Sequence, residues 1–148
     1  MNNNRRKQIN KEIATLDTIS LLAEGYHDKL NRKVVTMEDL SKAVDAFRDA
    51  AEWLSNMSMT IDDLAIEERE CFENLPEPIQ MSERGEAMEL AADNLESARD
   101  DIDSLASDVE SLADELEEYD SAAELDIDLM SIVDSIESLK ETLEEAME

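Results

Sequence analysis

Glycine and proline are almost missing from this chain, with two of each in 148 residues, and aromatics are only 3%. A sheet-built fold therefore has little support: turns lack their usual residues, and strands lack the aromatic side chains that fill them. The single cysteine, Cys71, excludes an intrachain disulfide, and it reads as a reduced, half-buried thiol of an intracellular protein. No apolar run reaches membrane-spanning length, and the opening Met-Asn-Asn-Asn-Arg-Arg-Lys lacks the apolar core of a secretion signal. The expectation is a soluble, cytoplasmic protein with no membrane partner. Cations are also scarce: 13 bases stand against 40 acids, a net charge of −27. Residues 1–33 are net +3, 34–84 net −9 and 85–148 net −21. Such a body repels nucleic acid and anionic lipid, so its natural partners are basic surfaces.

What the chain has is helix formers: Ala, Leu, Glu, Asp, Ser and Met dominate. The length fits one domain, 1–148. The apolar spacing predicts an all-α antiparallel helical bundle, or long helical hairpin, of about four helices. A basic N-terminal helix (1–33) starts near Asn4, with Ile9, Ile13, Leu16, Ile19, Ala23, Tyr26 and Leu30 on one face. Arg5, Arg6, Lys7 and Lys11 oppose its dipole, so its first turn is expected to fray. These bases are expected to pair with the acidic body, within the chain or across a homodimer, rather than with phosphates. Residues 36–74 form a second helical region, capped by Thr36 and buried through Leu40, Ala43, Val44, Phe47, Ala50, Ala51, Leu54 and Met57. Trp53 sits at the core edge. Ser55–Thr60 reads as a soft spot, with Thr60 starting a new helical segment. Residues 75–81 form a proline turn, since Pro76 and Pro78 cannot continue a helix.

Residues 82–119 read as one long acidic helix capped by Ser82, with Gly85 allowing a close backbone approach. Met88, Ala91, Leu95, Ala98, Ile102, Leu105, Val109, Leu112, Leu116 and Tyr119 make an unbroken heptad seam. Alanines at 92, 106 and 113 widen it, which suits burial against two neighbours. A second ladder occupies the b and f positions, expected to face away from the seam: Glu89, Asp93, Glu96, Asp100, Asp103, Ser107, Glu110, Asp114 and Glu117. The seam loses phase at Asp120–Ser121, read as a tight turn or kink, with a stammer in a continuous helix as the alternative. Ser121–Glu124 forms a capping box there. A C-terminal helix over 121–148 then buries Leu125, Leu129, Ile132, Ile136, Leu139, Leu143 and Ala146.

The central segment carries a resemblance. It reads Glu67-Glu68-Arg69-Glu70-Cys71-Phe72-Glu73-Asn74-Leu75-Pro76-Glu77, then Ile79-Gln80, then Ser82-Glu83-Arg84-Gly85-Glu86-Ala87-Met88-Glu89 and Asn94-Leu95-Glu96-Ser97-Ala98. It resembles uncharacterised small acidic helical proteins of phages and mobile elements of Gram-positive bacteria. They share a phenylalanine–x–asparagine–leucine–proline–glutamate turn, a glutamine, and a serine–glutamate–arginine–glycine–glutamate helix start. Arg5-Arg6-Lys7 with Asn10-Lys11 is similar to theirs as well. The stretch from Ile19 to Ile61 has no counterpart in that group. The resemblance implies a phage or prophage setting in a host cell and nothing catalytic.

No constellation for chemistry stands out, and no enzyme, cofactor or metal is expected. His27, the one histidine, completes a lone Glu24-x-x-His27 where a di-metal bundle needs two such motifs and two further glutamates. It reads as an exposed helix residue. Glu67-x-x-Glu70 and Glu86-x-x-Glu89 flank the proline turn in the manner of all-α nucleotide pyrophosphohydrolases. No basic cluster accompanies them for phosphates. Asp126-x-Asp128 lacks the rest of a calcium loop.

The acid ladder is left to explain. Exposed helix faces ordinarily mix signs, because like charges at i,i+4 are destabilising, yet from Gly85 to Leu139 the only base is Arg99. With about 1.5 Å rise per residue, Asp93 to Asp120 places twelve carboxylates along roughly 40 Å, one per about 3.5 Å. One strand of duplex DNA carries a phosphate per about 3.4 Å. The expectation is therefore a DNA mimic. It would inhibit a basic nucleic-acid-binding host protein through Glu89, Asp93, Glu96, Asp100, Asp103, Glu110, Asp114 and Glu117, without binding nucleic acid itself. The competing expectation is a non-enzymatic structural or adaptor coiled coil, whose seam recruits a partner helix.

Overall fold

The computed structural model describes residues 1–32, 35–119 and 127–148. The described residues form five helices: α1 (Asn3–Leu30), α2 (Met37–Glu73), α3 (Glu77–Gln80), α4 (Glu83–Glu117) and α5 (Met130–Met147). The four long ones form an antiparallel bundle in the cyclic order α1, α2, α4, α5, with the most extensive contact between α2 and α4. The predicted stripes supply its core. Ile9, Leu16, Ile19 and Leu30 of α1 are fully buried, as are Phe47, Leu54 and Ile61 of α2. So are Leu95, Ala98, Ile102 and Val109 of α4, and Ile136 and Leu143 of α5. Ala92 and Ala113 are also fully buried, so the alanine-widened seam of α4 packs on both α2 and α5.

The hairpin between α2 and α4 is built from capping chemistry. Helix α2 leaves its last carbonyls without intrahelical partners. The Gln80 side-chain amide turns back and donates to the carbonyls of Phe72 (3.4 Å), Glu73 (3.1 Å) and Leu75 (2.9 Å). Pro76 opens the one-turn α3, and its carbonyl accepts from the Ile79 and Gln80 amides. Ser82 then caps α4, accepting from the Gly85 amide at 3.4 Å. A Cβ added to Gly85 would lie 2.1 Å from the Gln80 carbonyl oxygen and 2.5 Å from that of Ile79. The close approach expected there is thus real, and it is with backbone. Proline, glutamine, serine and glycine each hold one position of the turn.

Several expectations need correction. There is no break at Ser55–Thr60. Helix α2 runs through it because Met57, Ser58 and Ile61 are buried in phase, and Thr60 bonds back to the Asn56 carbonyl instead of capping. The first turn of α1 is formed: the Asn2 side chain accepts from the amides of Asn4 and Arg5. Helix α4 ends at Glu117, so a helix continuous with α5 is excluded, and Tyr119 lies outside it and is exposed. The C-terminal helix starts at Met130, since Ile127–Leu129 are not helical. The capping box Ser121–Glu124 and Leu125 lie outside the described residues. Cys71 is exposed rather than half-buried. His27 is half-buried rather than exposed, its Nδ1 accepting from the Leu129 amide at 3.4 Å. It thereby ties the end of α1 to the start of α5, and the Asn31 side chain adds a bond to the Ile127 carbonyl.

Candidate interaction surface on α4

Helix α4 presents its ladder along one edge of the bundle. All eight carboxylates, from Glu89 to Glu117, are exposed. They do not point straight away from the rest of the molecule, as the heptad wheel suggests. The ladder borders α2, and α2 carries a matching stripe at seven-residue spacing: Arg48, Ser55, Asp62 and Arg69. The antiparallel register sets Arg69 against Asp93 and Glu96 (2.9 Å to Glu96) and Arg48 against Asp114 and Glu117. Each guanidinium is held by an f/b pair of carboxylates three residues apart, one turn of helix. The hydrogen bonds that Arg69 donates to Asp93 and then Glu96 raise its pKa, and the bond to Glu117 does the same for Arg48. The scarcity of bases on α4 thus has a partial answer, because the neighbouring helix supplies cations at both ends of the ladder.

The middle of the ladder is different. Opposite Asp100 and Asp103, the α2 stripe has Asp62, and Arg99 of α4 itself bridges Asp62 (3.1 Å) and Asp100 (2.9 Å). Opposite Ser107 and Glu110 it has Ser55. Among the described residues no cation lies within ion-pair distance of Glu89, Asp103 or Glu110. A groove of about 520 Å³ opens between α2 and α4 at this point, walled by Ala51, Ser55, Ala106 and Ser107, rimmed by Glu52, Asp103 and Glu110, and bounded at one end by Arg48. On the other flank of α4, toward α5, Asp101, Asp108 and Glu115 line smaller grooves with Ser131 and Ser135.

The N-terminal bases are partly accounted for. Arg5 is buried, with Nη1 donating to Glu68 Oε2 at 2.6 Å, Nε to Glu67 Oε2 at 2.9 Å and Nη2 to Cys71 Sγ at 3.3 Å. The Met1 amino group lies 3.2 Å from Glu68 Oε1, and Glu68 is fully buried. Burial lowers the pKa of Arg5, but the bonds to Cys71, Glu67 and Glu68 outweigh it and leave the pKa raised. Arg6 donates to the Met147 carbonyl at the end of α5. Sequence periodicity missed the Arg5–Glu68 pair, although the signal was present: Arg5 lies in phase with Ile9 and Leu16, and Glu68 with Ile61 and Leu64. A base and an acid each in register with an apolar stripe mark a buried pair. Glu67 is occupied by Arg5, which removes it from any carboxylate set with Glu70, Glu86 and Glu89. Among the described residues no group of three His, Cys, Asp or Glu side chains is placed to hold a metal ion. No helix in the described residues is long and apolar enough to cross a membrane. No family model, curated protein or solved structure matches the chain.

Proposed function

We propose that this protein inhibits a basic nucleic-acid-binding host protein by DNA mimicry, with the exposed carboxylate edge of α4 occupying the partner's groove. The observation that carries this reading is the division of α4. Most of its a and d positions are buried in the bundle core, and the eight ladder acids stand exposed along a helix of 35 residues, about 52 Å. Eight exposed carboxylates along roughly 42 Å of helix, on a body of net charge −27, suit a surface built to neutralise phosphates. It would gain affinity by releasing counterions, as DNA does. The resemblance of the hairpin to phage and mobile-element proteins supports a host target and a cytoplasmic setting. No catalytic step, cofactor or membrane belongs to this reading. An adaptor recruiting a helix through the seam has less support, because Leu95, Ile102 and Val109 are buried within the chain.

The test uses proteins of a bacterial lysate held on duplex DNA cellulose. At constant low salt, this protein should elute a DNA-binding protein from the column. The variant Asp103→Asn/Glu110→Gln/Glu89→Gln, which removes the ladder acids lacking an ion pair, should elute far less while melting no lower. Equal elution by that variant, or none by the parent, refutes the proposal.

A further inference from the structure

We infer that the middle of the α2/α4 groove is an arginine-binding slot, the point where the partner anchors. The inference rests on the mimicry reading and names the residues that would decide affinity within it. The ladder itself shows what its carboxylates bind. Asp93 with Glu96 clamps the Arg69 guanidinium, and Asp114 with Glu117 clamps that of Arg48. The same edge repeats twice between these clamps, at Asp100/Asp103 and at Ser107/Glu110. There the α2 stripe breaks its own pattern, offering Asp62 and Ser55 instead of arginine. Arg99 serves Asp62 and Asp100, which leaves Asp103 and Glu110 unserved.

The absent side chain leaves space as well as charge. The groove of about 520 Å³ lies where an arginine at position 55 would project, and Ala51, Ala106 and Ser107 keep it open. Glu52 adds a third carboxylate to the rim, and Arg48, its charge met by Asp114 and Glu117, bounds one end. A guanidinium entering from a partner would meet acceptors on both helices and rest its methylene stem on the alanines. Arginine suits the slot better than lysine on the precedent of Arg69, whose Nε and Nη2 both donate to Glu96 while Nη2 also reaches Asp93; Arg48 meets its two carboxylates through Nη2 alone. Basic DNA-binding surfaces are rich in such side chains, and buried arginines are frequent interface anchors. The g-position acids facing α5 have no comparable precedent, since no arginine is held there.

An alanine-based helical peptide with two arginines seven residues apart is the probe, titrated against the labelled protein and followed by amide chemical shifts at low salt. The largest shifts should fall at Ser55, Ser107 and Glu110. Ser55→Arg places the missing guanidinium within the chain and should weaken the peptide about tenfold. Ser97→Arg makes the same charge change on the outer face of α4, away from the slot, and should weaken it less than about twofold. Equal weakening by the two variants, or shifts centred on Asp101 and Asp108, overturns the slot while leaving charge mimicry standing. No shift anywhere also overturns it, and the DNA-column elution then decides separately whether the mimicry reading survives.

Discussion

Replacing Gly85 by alanine tests the hairpin that sets α4 in register with α2. The added methyl would sit 2.1 Å from the Gln80 carbonyl oxygen and 2.5 Å from the Gln80 carbonyl carbon. An ordinary contact would be more than about 1 Å longer. No side-chain rotation relieves this, because the obstacle is main chain. That main chain is itself held by the Ile79 amide to the Pro76 carbonyl at 2.8 Å and by the three bonds of the Gln80 side chain. Overpacking of this kind costs about 1–3 kcal/mol, toward the upper end where nothing yields. The better helix propensity of alanine returns at most about 1 kcal/mol. The net loss is about 2 kcal/mol, or a fall in Tm of about 6 °C for a chain of this size. Gly25 supplies the internal control. A Cβ there meets nothing within 4 Å, so Gly25→Ala should gain up to about 1 kcal/mol. Circular dichroism melts and urea titrations of both variants decide the matter. A Gly85→Ala protein as stable as the parent, or both variants shifting in the same direction, would refute the account of the turn.

Glu68→Gln should cost about 3 kcal/mol by urea denaturation, because it leaves the buried Arg5 with only the exposed Glu67 as counterion, whereas Arg5→Met with Glu68→Met should recover most of that loss. Raising the salt from about 0.02 M to 0.5 M should raise Tm, since screening shortens the range of the like-charge repulsion along α4 more than it weakens the short ion pairs to α2; a falling Tm would contradict the view that repulsion dominates. Asp39 is held below the usual carboxylate range by the Thr36 amide and then the Thr36 hydroxyl. A depressed acid contributes stability above its unfolded value of about 3.9 and loses it as pH falls through the folded value. The stability difference between the parent and Asp39→Ala should therefore be constant from neutral pH down to about 5 and close below that.

The all-α bundle was legible because helical periodicity is strong in a chain with so few breakers. Most residues placed on an apolar stripe, from Ile9 to Ala146, are buried, while Ile13, Tyr26, Ala51, Met88 and Leu112 are half-buried. The ends of the seams were less legible. Tyr119 continues the heptad numerically yet lies beyond the helix, because periodicity states which face is apolar and not where the helix stops. Ser55–Thr60 looked like a break because serine and threonine favour caps, but burial of Met57 and Ile61 on either side outweighs that local preference. The ladder acids were legible as a set, and their exposure follows from their phase. Their unequal environments were not, since which carboxylates meet an arginine depends on the antiparallel register of α2 against α4. That register is fixed by the capped hairpin and could not be read from either helix alone.

The central claim is that the α4 edge competes with DNA for one groove. It is tested most directly with a protein eluted from the DNA column, by measuring its affinity for fluorescent duplex DNA in the presence of increasing amounts of this chain across a salt series. Mimicry predicts mutually exclusive binding, with one curve displacing the other, and a linear fall of log affinity for this chain with log salt, as for DNA itself. A ternary complex of chain, captured protein and duplex DNA, or an affinity indifferent to salt, would contradict it.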